Sequence, residues 1–202
     1  MSYRNCIVWI AAFIIPLTIN SNSDILAYAQ DSKFNIKTVP LSVYMLDDDS
    51  GKFSTPSKIK RILVVFNKVN EIWSQAGIRF EIDYIGRIPV PNSIIRDVIN
   101  GNYKPFIQGR EVKFEVPSSS RINVFYAYEV GLLNGITLED RVVIIKDSPG
   151  SQTERVTAHE LGHNLGLHHA HEDSLRLMYP GTSGTVLTSQ ETKTARNNAS
   201  SQ

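Results

Sequence analysis

Residues 156–169 read Val156-Thr157-Ala158-His159-Glu160-Leu161-Gly162-His163-Asn164-Leu165-Gly166-Leu167-His168-His169. On a helix, side chains four apart share a face, so His159 and His163 point together. Two imidazoles on adjacent turns form a preorganised divalent-metal site. Glu160 follows the first histidine directly. It lies beside the metal rather than in the ligand pair, where a carboxylate can hold a water and take its proton. Ala158, Leu161 and Leu165 share another face, the core face. Gly166 allows a left-handed turn that reverses the chain, and His169, three residues on, can then swing back as a third ligand. Three neutral imidazoles leave a fourth position open, the mark of a catalytic rather than a structural zinc site.

Outward on the N-terminal side, Ser151 and Glu154 make a capping box after Pro149-Gly150, so the helix is expected to start near Gln152. Further upstream the chain alternates strands and helices without repeats. Leu41, Val43 and Met45 read as a strand. The acidic turn Asp47–Gly51 that ends it could hold calcium, but Gly51 comes one position too early for an EF-hand loop, and a solvated turn is expected. Thr55-Pro56 looks like an N-cap with proline at the first helical position. Ile59, Ile62, Phe66, Val69 and Trp73 then recur at spacings of three and four, predicting a long helix over 56–76.

Ile78, Phe80, Ile82 and Tyr84 alternate with charged residues, a half-buried strand. Residues 88–111 read as a surface excursion with one short helix near 93–99. Val112, Phe114 and Val116 alternate again. Ile122–Tyr128 and Val142–Ile145 are further strands, the second apolar throughout and therefore central. Between them, residues 131–140 form a loop or a short edge strand. The polar tail after Arg196 is expected to fray, and Asn198-Ala199-Ser200 matches a glycosylation acceptor only by a loose pattern.

The segment 156–169 resembles the zinc helix of the metzincin metallopeptidases. Leu177-Met178-Tyr179-Pro180 is similar to their Met-turn, the methionine-bearing turn beneath the metal. Both are most similar to the matrixins. Leu187-Thr188-Ser189-Gln190 followed by Glu191 resembles the start of the matrixin C-terminal helix, with Thr188 and Glu191 a capping box of their own. The specific likeness covers roughly residues 152–197; upstream only the order of elements is similar. It implies an α+β, zincin-like fold: a twisted mixed β-sheet, a long helix and an active-site zinc helix on one side, and a small C-terminal lobe with the break near 166–169.

The implied site has one catalytic Zn²⁺ on His159, His163 and His169, Glu160 as base, and Gly166 and Met178 as structural support. A pocket for the substrate side chain after the cut would lie between the zinc helix and the Met-turn, lined by Arg155 and Pro180. Arg155 would make it shallow or acid-preferring, unless it is a solvated first-turn arginine. Departures from the matrixins are equally readable. The only cysteine is Cys6, so latency through a propeptide cysteine is not expected. All five histidines lie at 159, 163, 168, 169 and 171, which excludes the second, structural zinc. Ala170 stands where matrixins place serine. Tyr179 is adjacent to Met178 and takes no ligand role, while His168 and His171 are expected in solvent.

The chain has 202 residues, 42% hydrophobic and 20% charged, enough to bury a core. Its 21 Lys+Arg and 20 Asp+Glu nearly cancel, so nothing points to nucleic acid. Arg4 precedes an apolar run, Cys6–Ile19, followed by Ala27-Tyr28-Ala29. This is a signal-peptide pattern over 1–29 with a small-x-small cleavage site, leaving a catalytic domain over 30–202. The run is short of the ~20 residues of a spanning helix, the alternative being an uncleaved anchor. The expectation is a secreted, monomeric zinc endopeptidase acting on protein or peptide, with the membrane involved only if the N-terminal segment stays. A zinc-binding module without turnover, or a zinc hydrolase of another substrate, are the alternative readings.

Overall fold

The computed structural model describes residues 35–103, 121–139, 141–147, 152–181 and 183–199. The signal pattern at 1–29, the alternation at 112–116 and Ser151 lie outside them. The chain runs β1 (Lys37–Asp48), α1 (Ile59–Trp73), a 3₁₀ turn (Ser74–Ala76), β2 (Ile78–Val90), α2 (Asn92–Ile99), β3 (Ile122–Ala127), β4 (Gly135–Leu138), β5 (Val142–Lys146), α3 (Thr153–Asn164) and α4 (Ser189–Ala199). The five strands form one mixed sheet in the order β2-β1-β3-β5-β4. All neighbours are parallel except β4, which pairs antiparallel with β5 at the edge.

The parallel strands need both faces covered, and the sequence supplies two apolar sets. One face carries Val39, Leu41, Val43 and Met45 of β1 with Val124, Tyr126, Val143 and Ile145. Helices α1 and α3 pack there, through Ile62, Phe66, Val69 and Trp73, and Ala158, Leu161 and Leu165. The other face carries Tyr44, Leu46, Phe125 and Ile144, covered by Ile94, Ile95 and Val98 of α2. The α+β zincin-like architecture is thus present, with the long helix and the histidine-bearing helix on one side.

Several local expectations are corrected. Helix α1 starts at Ile59, not at 56, and Lys58 at its N-cap makes no side-chain capping bond. Thr55 is drawn away instead: its hydroxyl donates to Tyr126 O at 2.6 Å. Ile59 is 42% exposed, and Val65 takes its place in the buried stripe. The stretch 88–111 is not purely a surface excursion, because β2 runs on to Val90 and α2 buries three aliphatics. Between Ile82 and Tyr84 the β1–β2 register shifts by one residue. That bulge turns Tyr84 from the first face to the second, where its ring lies 5.3 Å from Tyr44.

Helix α4 runs on past Arg196 to Ala199 without fraying, and residues 200–202 lie outside the described ones. Ala195 and Ala199 are buried, and the Asn198 amide donates to Leu165 O at 2.9 Å. The Thr188–Glu191 capping box forms: Glu191 N–H donates to Thr188 Oγ1 and Thr188 N–H to Glu191 Oε2. In the acidic turn, Asp48 is buried and accepts from Phe53 N–H, so it is not a solvated carboxylate. Asp47 is engaged by Arg87. No helix among the described residues is long and apolar enough to cross a membrane.

One half-buried ion pair ties the start of α1 to the end of β5. Asp147 accepts from Ser57 N–H at 2.7 Å, Ser57 Oγ at 2.5 Å and Arg61 Nη1 at 3.2 Å. Asp147→Ala leaves the buried Ser57 N–H and hydroxyl without their acceptor, and a loss of about 2 kcal/mol is expected from urea unfolding at neutral pH. A loss below ~1 kcal/mol would show that water replaces the carboxylate.

Candidate metal centre

Helix α3 begins at Thr153 with Gln152 at its N-cap, where no side-chain capping bond forms. The three imidazoles it organises converge. The Nε2 atoms of His159, His163 and His169 lie 3.2 Å from one another in every pair. A tetrahedral centre with Zn–N bonds of ~2.0–2.1 Å spaces its ligand atoms about 3.3 Å apart, so the triangle has the size of a zinc face. Among the described residues this is the one group of three or more metal-binding side chains that could hold an ion. His159 is buried, His163 half-buried and His169 exposed, so the group opens to solvent on one side.

Backbone carbonyls set the tautomers. His159 Nδ1–H donates to Leu177 O at 2.8 Å and His163 Nδ1–H to Leu167 O at 2.9 Å. Each leaves Nε2 as a lone pair facing the shared centre. Burial pushes His159 down to about 4, against the Leu177 bond that favours its charged form; burial also lowers His163. Both imidazoles are therefore neutral, the form that binds a metal. These observations of donor set, spacing and tautomer fit zinc. Gly166 adopts φ +78°, the left-handed turn that returns the chain to place His169.

Glu160 is buried beside the triad, and burial pushes its carboxyl up to about 7 against the hydrogen bond from Thr137 and the charge of Arg155. Thr137 Oγ1 lies 2.9 Å from Glu160 Oε2 and 2.8 Å from Glu160 O. A cavity of about 470 Å³ opens beside these groups, its wall including Leu133, Arg155, Glu160, His169 and Pro180. Arg155 is 5% exposed, not a solvated arginine. Its Nη2 donates to the carbonyls of Leu177, at 2.7 Å, and Tyr179, and its Nε–H to Gly184 O at 3.2 Å. Met178 is fully buried beneath the helix, and a Cβ on Gly162 would lie 2.6 Å from its sulfur. His168 and His171 are exposed.

Sequence reading missed the supporting residues. Leu177 and Leu167 act through backbone oxygen, which no side-chain motif signals. Trp73 Nε1–H donates to Ala158 O at 3.2 Å, binding α1 to α3; its aromatic bulk in the apolar stripe was the available sign. Thr137 is brought in by strand pairing alone.

The converging histidine triad on this mixed-sheet fold is that of a metzincin-type metallopeptidase. The chain belongs to the matrixin family, whose pattern matches residues 70–198. This is a family of metalloendopeptidases, and its histidine triad suggests a zinc site. Two solved structures share the fold. The archaemetzincin of Methanopyrus kandleri is 15% identical with a TM-score of 0.54, over 81% of this chain and 97% of that one. Metalloproteinase-II of Bacteroides fragilis is 15% identical with a TM-score of 0.51, over 81% of this chain and 54% of that one. No curated protein matches the chain in sequence.

The notch at Gly162 gives a direct check. Gly162→Ala must displace the buried Met178 sulfur, and overpacking of this kind costs about 1–3 kcal/mol. Chemical unfolding of the metal-free protein is expected to show that loss. Unchanged stability would mean the methionine is not held against the helix.

Proposed function

We propose that the protein is a secreted zinc endopeptidase in which His159, His163 and His169 hold the ion and Glu160 is the general base. The observation that carries this is the triangle of imidazole Nε2 atoms with a buried carboxylate on the adjoining residue. Zinc there would supply a Lewis acid that polarises a carbonyl and lowers the pKa of a bound water to about 7. The rest falls to the chain's own groups. Glu160 orients a water and takes its proton as the water oxygen adds to the scissile carbonyl carbon. It returns that proton to the leaving nitrogen as the C–N bond breaks. Oxygen and hydrogen of one water end up in the two products.

The substrate class follows from the family, since peptidases act on proteins. An extended peptide would pair with the open edge of β4, its backbone completing the sheet. The residue after the cut would enter the 470 Å³ cavity against Arg155 and Pro180. Because Arg155 spends its Nε and Nη2 on backbone carbonyls, a shallow pocket is favoured over an acid-preferring one. Residues 1–29 serve as a cleaved export signal and 30–202 as the monomeric catalytic domain, with a lobe break near 166–169.

Chelator-sensitive clearing of a protein gel tests turnover, and variants test the roles. Glu160→Gln is expected to keep stoichiometric zinc and lose about 10²–10⁴ in kcat. His169→Ala is expected to lose zinc and activity, and His168→Ala to change zinc affinity little. Near wild-type cleavage by zinc-loaded Glu160→Gln would overturn the mechanism; metal loss by His168→Ala with retention by His169→Ala would overturn the ligand set.

Export is tested separately. Extracellular protein is expected to begin near Gln30 by N-terminal sequencing. Material outside the cell that still begins at Met1 would favour the anchored form.

A further inference from the structure

The edge strand β4 presses directly on the general base. A Cβ on Gly135 would lie 2.9 Å from Glu160 Cγ and 2.9 Å from Val156 Cγ1. Two residues on, Thr137 Oγ1 reaches Glu160 Oε2 at 2.9 Å and Glu160 O at 2.8 Å. Residues two apart on a strand share a face. Gly135 therefore makes the room and Thr137 supplies a hydroxyl at the same spot.

We propose that Thr137 is a positioning residue that anchors Oε2 of Glu160 and so makes Oε1 the oxygen that takes and returns the proton. This rests on the reading of Glu160 as base. The terminal torsion of a glutamate is broad and nearly two-fold, so a free carboxylate samples orientations in which neither oxygen faces the water. A hydrogen bond from a neutral hydroxyl holds in both states of the cycle. Oε2 accepts from Thr137 when the carboxylate is ionised, and again as the carbonyl oxygen when the proton sits on Oε1. The hydroxyl keeps its own proton throughout, so only the water's proton moves. Fixed geometry of this kind matters because small misplacement of a reacting group costs up to about 10² in rate.

The test compares Thr137→Val, which keeps shape and β-branching but removes the hydroxyl, with Thr137→Ser, which restores it. On a quenched fluorescent peptide that the zinc-loaded wild type cleaves, Thr137→Val is expected to lower kcat about tenfold or more with KM within about twofold. Thr137→Ser is expected to recover most of the loss. A second readout uses the metal-free protein. Thr137→Val is made in the wild type and in Glu160→Ala, where the hydroxyl's one proton goes wholly to the backbone carbonyl, so the cycle reads only what the carboxylate adds to that bond. The thermal midpoint is expected to fall further in the wild type, by about 2 °C or more. Wild-type kcat in Thr137→Val, failure of serine to rescue, or equal falls in both backgrounds would each overturn the proposal. If Glu160→Gln is inactive while Thr137→Val is fully active, this inference alone fails; if Glu160→Gln is active, the reading of the base fails with it.

Discussion

The Nε2 atoms of three imidazoles meet at 3.2 Å, a spacing that suits one shared cation. Much of the surrounding structure works to maintain it. His159 is aimed by Leu177 O, and the same oxygen accepts from Arg155. Leu177 N–H in turn donates to Val186 O, and Met178 O accepts from Ala170 N–H, directly after His169. The turn at 177–178 thus grips the first ligand from behind and the third from its flank. The helix alone places two ligands; the turn decides whether there is a third.

Holding that turn requires contacts from elements far along the chain. Met178 fits the notch at Gly162, with Trp73 of α1 against the same spot. Gln75 accepts from Leu187 N–H and donates to Thr185 O, so the 3₁₀ turn after α1 also fixes the segment leaving the 177–178 turn. Arg176 joins Glu172 to Glu191, whose carboxylate also completes the cap of α4. The site is therefore braced from α1, α3 and α4 together, and its precision depends on the packed first face of the sheet. The second face, under α2, contributes stability without touching the metal centre.

Which parts were readable from sequence follows from the range of the interactions involved. The three converging histidines, Glu160 and the left-handed glycine lie within eleven residues on one helix and its exit turn, where spacing alone fixes geometry. The Thr188–Glu191 cap was readable for the same reason. The failures come from contacts distant in sequence. Thr55 looked like a cap because only its neighbours are visible in sequence, yet Tyr126 O claims its hydroxyl. Tyr84 kept the right alternation until a bulge shifted the register, and nothing local marks that bulge. The polar letters after Arg196 suggested fraying, but one asparagine reaching Leu165 O and an alanine facing the core hold the last turn. Arg155 lines the cavity beside the triad, while its carbonyl partners at 177, 179 and 184 come from a segment some twenty to thirty residues later.

Burial acts on neighbouring groups with opposite signs here, and both outcomes serve the same chemistry. It lowers His159 to about 4 by penalising the imidazolium, which keeps the lone pair available at neutral pH. It raises Glu160 to about 7 by penalising the carboxylate. A divalent cation at the triad favours the ionised form of Glu160 through opposite charge and so opposes that rise. Thr137 and Arg155 already oppose it in the same direction. A general base works best when its pKa lies near the working pH, because it must both accept a proton and give it back. The buried position beside His159 thus keeps the imidazole neutral and disfavours the ionised carboxylate next to it, and one low-dielectric pocket does both.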